Sequence, residues 1–268
     1  MDFSDDELVT FEAHGAVLPQ GGDEGVVEHE GARIWYAVYG QGVPVILLHG
    51  GLGHSGNFAY QVPALVEAGY RVVVIDSRGH GHSTRDERPY SYGLMGRDVL
   101  AVMDALGIAK APIAGWSDGA CIGLALAKEH AEWIAGVLFF ACNVDDGGTK
   151  PFEFTPILGR CINRHKADYA ALSATPGQFD AFSEAVGLMQ RTQPDYSADD
   201  LADIDVPVTV VQSEHDEFIK PEHAAYLARA LPQGRLVELG GVSHFAPLQR
   251  PALFNQTILA FLQGLQQG

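Results

Sequence analysis

From Val26 onward the chain alternates two kinds of segment. VPVILLH (43–49), RVVVID (71–76), APIAG (111–115), IAGVLFFA (134–141) and VPVTVVQS (206–213) are short, nearly unbroken apolar runs. Runs of that length read as strands buried on both faces of a parallel sheet. VVEHE and RIWYAVY, separated by Gly31-Ala32, read as a β-hairpin ahead of them, and RLVEL (235–239) as a strand after them. Between the runs the period changes. Over 92–107 the apolar residues Met95, Val99, Val102, Met103 and Leu106 share one face of a 3.6-residue repeat, and Phe254, Ile258, Phe261, Leu262 and Leu265 repeat that spacing near the C-terminus. Strands alternating with helices predict a doubly wound, mainly parallel sheet of eight strands joined by right-handed crossovers.

Two stretches stand outside this rhythm. Residues 1–24 read as an irregular acidic lead-in, loosest at Gly21-Gly22. Residues 145–203 hold no buried strand but several short amphipathic stretches, punctuated by Pro151, Pro156, Pro176-Gly177 and Pro194. About sixty residues without a strand are too many for a structureless loop in a compact domain, so they predict an inserted helical cap. The expected division is a core of 25–144 and 204–268 with the cap at 145–203.

Composition narrows the partners. Seventeen Lys and Arg stand against 34 Asp and Glu, a formal net charge of −17. Such a surface repels phosphate backbones and anionic headgroups, so neither nucleic acid nor membrane is an expected partner. Cys121, Cys142 and Cys161 are too few and too irregularly spaced for a disulfide framework or a zinc site. The acidic N-terminus lacks a signal-peptide pattern, and no apolar run reaches ~18 residues, so a cytoplasmic location is expected.

The chemistry concentrates at Gly115-Trp116-Ser117-Asp118-Gly119, a G-x-S-x-G between the strand APIAG and the helical segment ACIGLALAKEH. A nucleophilic serine in a sharp strand-to-helix turn needs that context, with glycines where the backbone folds tightly. Of eleven histidines, His244 stands out, because GGVSHFAP lies after the strand RLVEL and before the last helix. Loops at the carboxyl ends of parallel strands converge on one crevice. The acid that would orient the base is sought in SEHDEF, after VPVTVVQ. Asp216 is preferred over Glu214 and Glu217, because Phe218-Ile219 can anchor its loop; Glu214, Glu217 and Glu222 read as solvated. Asp145 and Asp146 are the fallback. Oxyanion donors are expected at the amide of Asp118 and, in His49-Gly50-Gly51-Leu52, at the amide of Gly51. Asp118, Trp116 and Leu52 are the candidate substrate contacts.

A competing pattern overlaps this one. Gly51-Leu52-Gly53-His54-Ser55-Gly56 spells G-x-G-x-x-G, and Asp76 ends the next strand. A dinucleotide site would make Ser117, Asp216 and His244 coincidences, and the two extra residues His49-Gly50 at the strand end count against it. His80 and His82 lack accompanying ligands of metal-site spacing, so the segment 76–83 reads as a polar turn braced by Asp76 and Arg78. No cofactor and no metal are expected.

In order along the chain, His49-Gly50-Gly51, Asp76-x-Arg78-Gly79-x-Gly81-x-Ser83, Gly115-x-Ser117-x-Gly119, Asp216 and His244 resemble the α/β-hydrolase superfamily. The resemblance covers about residues 26–264. It implies Ser117 as nucleophile, His244 as base, Asp216 as acid and the amides of Gly51 and Asp118 as oxyanion donors. The elbow itself looks like that of the valacyclovirase (biphenyl hydrolase-like) proteins, which implies an ammonium-binding role for Asp118. Ala120 and the cap depart from that group. The expected activity is acyl-enzyme hydrolysis of a small to medium carboxylic ester. A lactone, a C–C bond or an amide are alternatives on the same triad, and a low-turnover ligand receptor is the alternative of another class. A small molecule is the expected partner, with a homodimer left open.

Overall fold

The structure is a computed structural model that describes residue 4 and residues 7–267. Residues 1–3, 5 and 6 of the predicted lead-in lie outside the described residues. Eight strands form one sheet: β1 (Asp23–His29), β2 (Ala32–Tyr39), β3 (Val43–Leu48), β4 (Tyr70–Ile75), β5 (Ala111–Trp116), β6 (Ile134–Phe140), β7 (Val208–His215) and β8 (Gly234–Ser243). Their order is β1-β2-β4-β3-β5-β6-β7-β8; β2 runs antiparallel to β1 and β4, and the remaining pairs are parallel. The β1–β2 hairpin turns through Glu30 and Gly31, both at positive φ (41° and 78°). A two-residue hairpin turn with positive φ at both positions matches the strand twist.

Successive side chains point to opposite faces of a strand, and two apolar layers result. Ile46, Leu48, Val73, Ile75, Ile113, Val137 and Phe139 enter one; Val45, Leu47, Val72, Val74, Ala114, Leu138 and Phe140 enter the other. Both layers are dry, which is why these strands read as unbroken apolar runs. Burying Phe139 and Phe140, each at most 1% exposed, contributes about 2–3 kcal/mol apiece.

The helices follow: α1 (Leu8–His14), α2 (Gln61–Glu67), α3 (Tyr92–Ala105), α4 (Asp118–Glu129), α5 (Pro156–Leu172), α6 (Phe179–Thr192), α7 (Ala198–Ala202), α8 (Pro221–Ala230), α9 (Ala246–Gln249) and α10 (Pro251–Gln266). Helices α3, α4 and α8 cover the first layer, and α2 and α10 the second. Capping sets several starts. Ser91 accepts the Leu94 amide at 3.2 Å ahead of α3, and Thr155 accepts the Leu158 amide at 3.1 Å ahead of α5, with Pro156 following it.

One expectation changes here. The lead-in is not irregular throughout: α1 buries Leu8 and Phe11 against Ile157, Leu158 and Cys161 of α5. Between β6 and β7 stand α5, α6 and α7, and their apolar side chains divide. Ile157, Leu158, Phe179, Phe182 and Met189 are buried, with Phe182 stacked on Tyr169 at 4.7 Å, whereas Phe152 and Phe154 are each 69% exposed. Residues 148–150 bond back to the loop after β7, through Lys150 N to Phe218 O (2.7 Å) and Lys220 N to Gly148 O (3.0 Å).

Candidate active site

Ser117 sits between β5 and α4 with φ 53° and ψ −121°, a conformation that L-residues rarely adopt. The main chain holds it there. Ser117 N donates to Phe140 O at 2.8 Å, and Ser117 O accepts Ala120 N at 2.8 Å and Cys121 N at 3.2 Å. The flanking glycines are required by close approach: a side chain at Gly119 would collide with the Leu48 carbonyl, and one at Gly115 with the Gly119 carbonyl. The tip of β3 therefore touches the start of α4. A Cβ at Gly50 would lie 3.2 Å from the Ser117 Cβ, so the loop after β3 lies beside the serine.

That loop is itself constrained. His49 donates from Nδ1 to Gly50 O (2.8 Å) and accepts Ser77 N at Nε2 (3.0 Å), which fixes the neutral tautomer. Burial keeps its pKa low. Leu52 has φ 62°. A Cβ at Gly51 would lie 2.5 Å from both Asp118 Oδ2 and Gln190 Nε2. Gly51, Asp118 and helix α6 thus meet next to Ser117.

Asp118 is buried, and its carboxylate is fully engaged. Tyr92 Oη donates to Oδ1 at 2.9 Å, and Gln190 Nε2 donates to Oδ1 at 3.2 Å and to Oδ2 at 3.1 Å. Burial lifts its pKa to about 6, against the pull of those two donors. Tyr92 and Gln190 had no local signal in the sequence; only the fold brings α3 and α6 to the first residue of α4.

His244 follows β8 directly. Its Nδ1 donates to Asp216 Oδ1 and Oδ2 at 3.2 and 3.1 Å, and the ring packs edge-on against Phe218 (4.7 Å) and lies 6.2 Å from Trp116. Asp216 Oδ1 also accepts the amides of Phe218 (2.8 Å) and Ile219 (2.9 Å), so the residues named as its anchor do hold it. Burial disfavours the charged imidazole, but the charge and hydrogen bond of Asp216 outweigh it, and the His244 pKa is raised above 6.5. Of the neighbouring acids Glu214 and Glu222 are exposed and Glu217 is half-buried, and two of the three accept nearby main-chain N–H groups. Glu217 Oε2 accepts the main-chain N–H of His244 at 2.9 Å, and Glu214 Oε2 accepts that of Gly241 at 2.7 Å.

The rival motifs find other uses. Asp76 is fully buried, accepting Ser55 N (2.7 Å) and His82 N (2.8 Å), and faces inward rather than toward a ribose. Arg78 clamps Asp98 through Nε and Nη2, both at 2.7 Å. His80 Nδ1 bonds Arg78 O at 3.0 Å, and His82 Nδ1 bonds Asp76 at 2.9 Å. Among the described residues no group of three or more His, Cys, Asp or Glu is placed to hold a metal ion, and no helix is long and apolar enough to cross a membrane.

Comparison with known proteins agrees with this architecture. The family model described as alpha/beta hydrolase fold matches residues 43–155. The "Putative carbamate hydrolase RutD" of Caulobacter sp. (strain K31) is 30% identical over 253 residues, spanning 82% of this chain and 90% of the relative. Among solved structures, the enol-lactonase from Burkholderia xenovorans LB400 superposes with TM-score 0.73 and 26% identity, covering 89% of this chain and 100% of its own. Est816, described as an N-acyl homoserine lactone degrading enzyme, gives TM-score 0.70 and 27% identity, covering 88% and 100%. An eight-stranded, mainly parallel sheet, a serine at a strained strand-to-helix turn and relatives matched along nearly their whole length lead to one assignment: the chain is a hydrolase of the α/β-hydrolase fold family.

Proposed function

We propose that this hydrolase cleaves a small to medium carboxylic ester through an acyl-enzyme on Ser117, with His244 as base and Asp216 as acid. The observation that carries the reading is the pairing of His244 Nδ1 with both oxygens of Asp216, the His244 ring lying 6.2 Å from Trp116, the residue before the strained Ser117. With Nδ1–H committed to Asp216, Nε2 is the free base. It takes the Ser117 hydroxyl proton as Oγ attacks the carbonyl carbon, then returns that proton to the leaving alkoxide as the C–O bond breaks. Water, deprotonated by the same nitrogen, attacks the acyl-serine, and Ser117 regains its proton as the carboxylic acid leaves. The amides of Gly51 and Asp118 are assigned to the oxyanion, each contributing about 3–4 kcal/mol to the barrier reduction.

The segment 145–203, with α5 to α7, is assigned as the cap over this site, and Trp116 and Leu52 as walls near the acyl group. An ammonium on the substrate would have to share Asp118 with Tyr92 and the Gln190 amide, which already donate to its two oxygens. A lactone is the second reading. Two structural relatives above 25% identity carry lactone-degrading names, and a lactone is an ester whose leaving alcohol stays tethered.

The test is intact mass after exposure to a fluorophosphonate. One adduct on the native chain and none on Ser117→Ala is expected, together with a loss of about 10⁶-fold in kcat for the variant. A panel of aliphatic esters, lactones, carbamates and aminoacyl esters then ranks the substrates. A folded native chain that takes no adduct would overturn the reading and favour a ligand receptor on the same fold.

A further inference from the structure

Three carboxylates fall within four residues across the end of β7, Glu214 in the strand and Asp216 and Glu217 just after it, and each reaches the segment that carries His244. Glu214 takes the amide of Gly241, Asp216 takes the imidazole, and Glu217 takes the amide of His244 itself at 2.9 Å. From the other side Gln249 Oε1 accepts the amide of Ser243 at 2.7 Å. Two consecutive peptide N–H groups at the end of β8 are thus each held by a side chain from a different element.

We propose that Glu217 is a positioning residue for the base: it holds His244 by the main chain while Asp216 holds it by the ring, and it adds a further negative charge beside the imidazole. The inference rests on the role given to His244 above. A hydrogen bond from ring to carboxylate leaves the imidazole free to swing about its Cα–Cβ bond if the backbone shifts. Pinning the peptide N–H removes that freedom, and it does so with an ionised acceptor, which makes the bond stronger than a neutral one. The groups facing His244 are Asp216 and Glu217 from the loop after β7, Asp118 from the start of α4, and the rings of Trp116, Phe218 and Phe245. The Lys150 ammonium lies farther out, on the Asp216 carbonyl at 2.6 Å. Glu217 is half-buried, and burial pushes its carboxyl above the usual range, against the pull of the His244 N–H and of that residue's charge. The imidazolium formed in the transition state therefore meets the Glu217 carboxylate in addition to those of Asp216 and Asp118.

The experiment compares Glu217→Ala with Glu217→Gln. Glutamine keeps an acceptor oxygen and loses the charge; alanine loses both. With the best ester of the panel, Glu217→Ala is expected to lower kcat about tenfold with KM little changed, the effect of one lost hydrogen bond to a charged partner. Glu217→Gln is expected to recover most of kcat while moving the acid-side inflection of kcat/KM to lower pH. A second reading needs no turnover: the ring Cε1–H resonance of His244, assigned by its loss in His244→Gln, is titrated by NMR in the native chain and in Glu217→Gln. A lower midpoint in Glu217→Gln supports the proposal. Wild-type kcat and an unmoved inflection in both variants would sink it. So would equal losses of kcat in both with a falling melting temperature and an unmoved inflection, since that is damage to the fold. If the native chain takes no fluorophosphonate, the parent reading fails, and the NMR midpoint still decides the part assigned to Glu217.

Discussion

The two halves of the candidate site are built by different physics. Around Ser117 the positioning is done by main chain: peptide hydrogen bonds, a positive φ and two glycines whose missing side chains let β3, β5 and α4 meet. Around His244 it is done by side chains, three of them carboxylates: Asp216 on the ring, Glu217 and Glu214 on nearby amides, and beside them the neutral Gln249 on Ser243. The first half depends on shape and barely on ionisation. The second depends on which carboxylates are charged. In the proposed mechanism the nucleophile is thus placed sterically and the base electrostatically.

That contrast can be attacked from both ends. The largest effect is expected from Asp216→Asn. Asn Oδ1 can keep the amides of Phe218 and Ile219, so the loop survives, but the new NH₂ opposes His244 Nδ1–H and favours the wrong tautomer. A loss of about 10⁴-fold in kcat is expected in steady-state assays, with melting little changed. In the native chain the base must be neutral, so activity rises with pH through the His244 pKa, above 6.5. The stability linked to that raised pKa runs the other way, present at low pH and lost as pH climbs through it. In the variant the inflection moves down. Next comes Gly119→Ala, which drives a Cβ into the Leu48 carbonyl. It is expected to cost about 4 kcal/mol or more in urea unfolding at any pH. A loss confined to one pH range would mean that the elbow, too, is held by charge.

The smallest effect sharpens the comparison at its one exception, Asp118, a carboxylate inside the steric half. Its folded pKa is lifted from 3.8 to about 6 by burial. Stability linked to it is complete below pH 4 and is lost as pH rises through about 6. Asp118→Asn, whose Oδ1 can still accept from Tyr92 and Gln190, lacks that loss. The variant is expected to be more stable than the native chain by about 1–3 kcal/mol at pH 8 and level with it near pH 4. The same difference at both pH values would show that Asp118 is held without an electrostatic penalty.

The same division explains what could be read in advance. The strands of the parallel sheet were legible because both their faces are dry, and the edge strand β1 was read three residues short because Asp23 and Glu24 at its start are exposed. The elbow was legible because collisions leave glycine as the residue that fits, and that requirement is written locally. Asp216, Glu217 and Glu214 lie side by side, and nothing local says which one meets a ring and which an amide. Tyr92 and Gln190 lie 26 and 72 residues from Asp118 and carry no pattern pointing to it. Helix α1 was hidden because it buries just Leu8 and Phe11 among acidic neighbours, too little for a periodic signal.

The strand order has a consequence for the making of the molecule. The central strand β3 is flanked by β4 and β5, so the loop of Gly51, the turn of Ser117 and the first turn of α4 are all translated by residue 121. The proposed base, His244, belongs to a segment more than a hundred residues later, beyond α5, α6 and α7. At ~5–20 residues per second a ribosome needs on the order of ten seconds to cross that gap. For that interval the nascent chain holds the proposed nucleophile while the proposed base that would activate it has not been made.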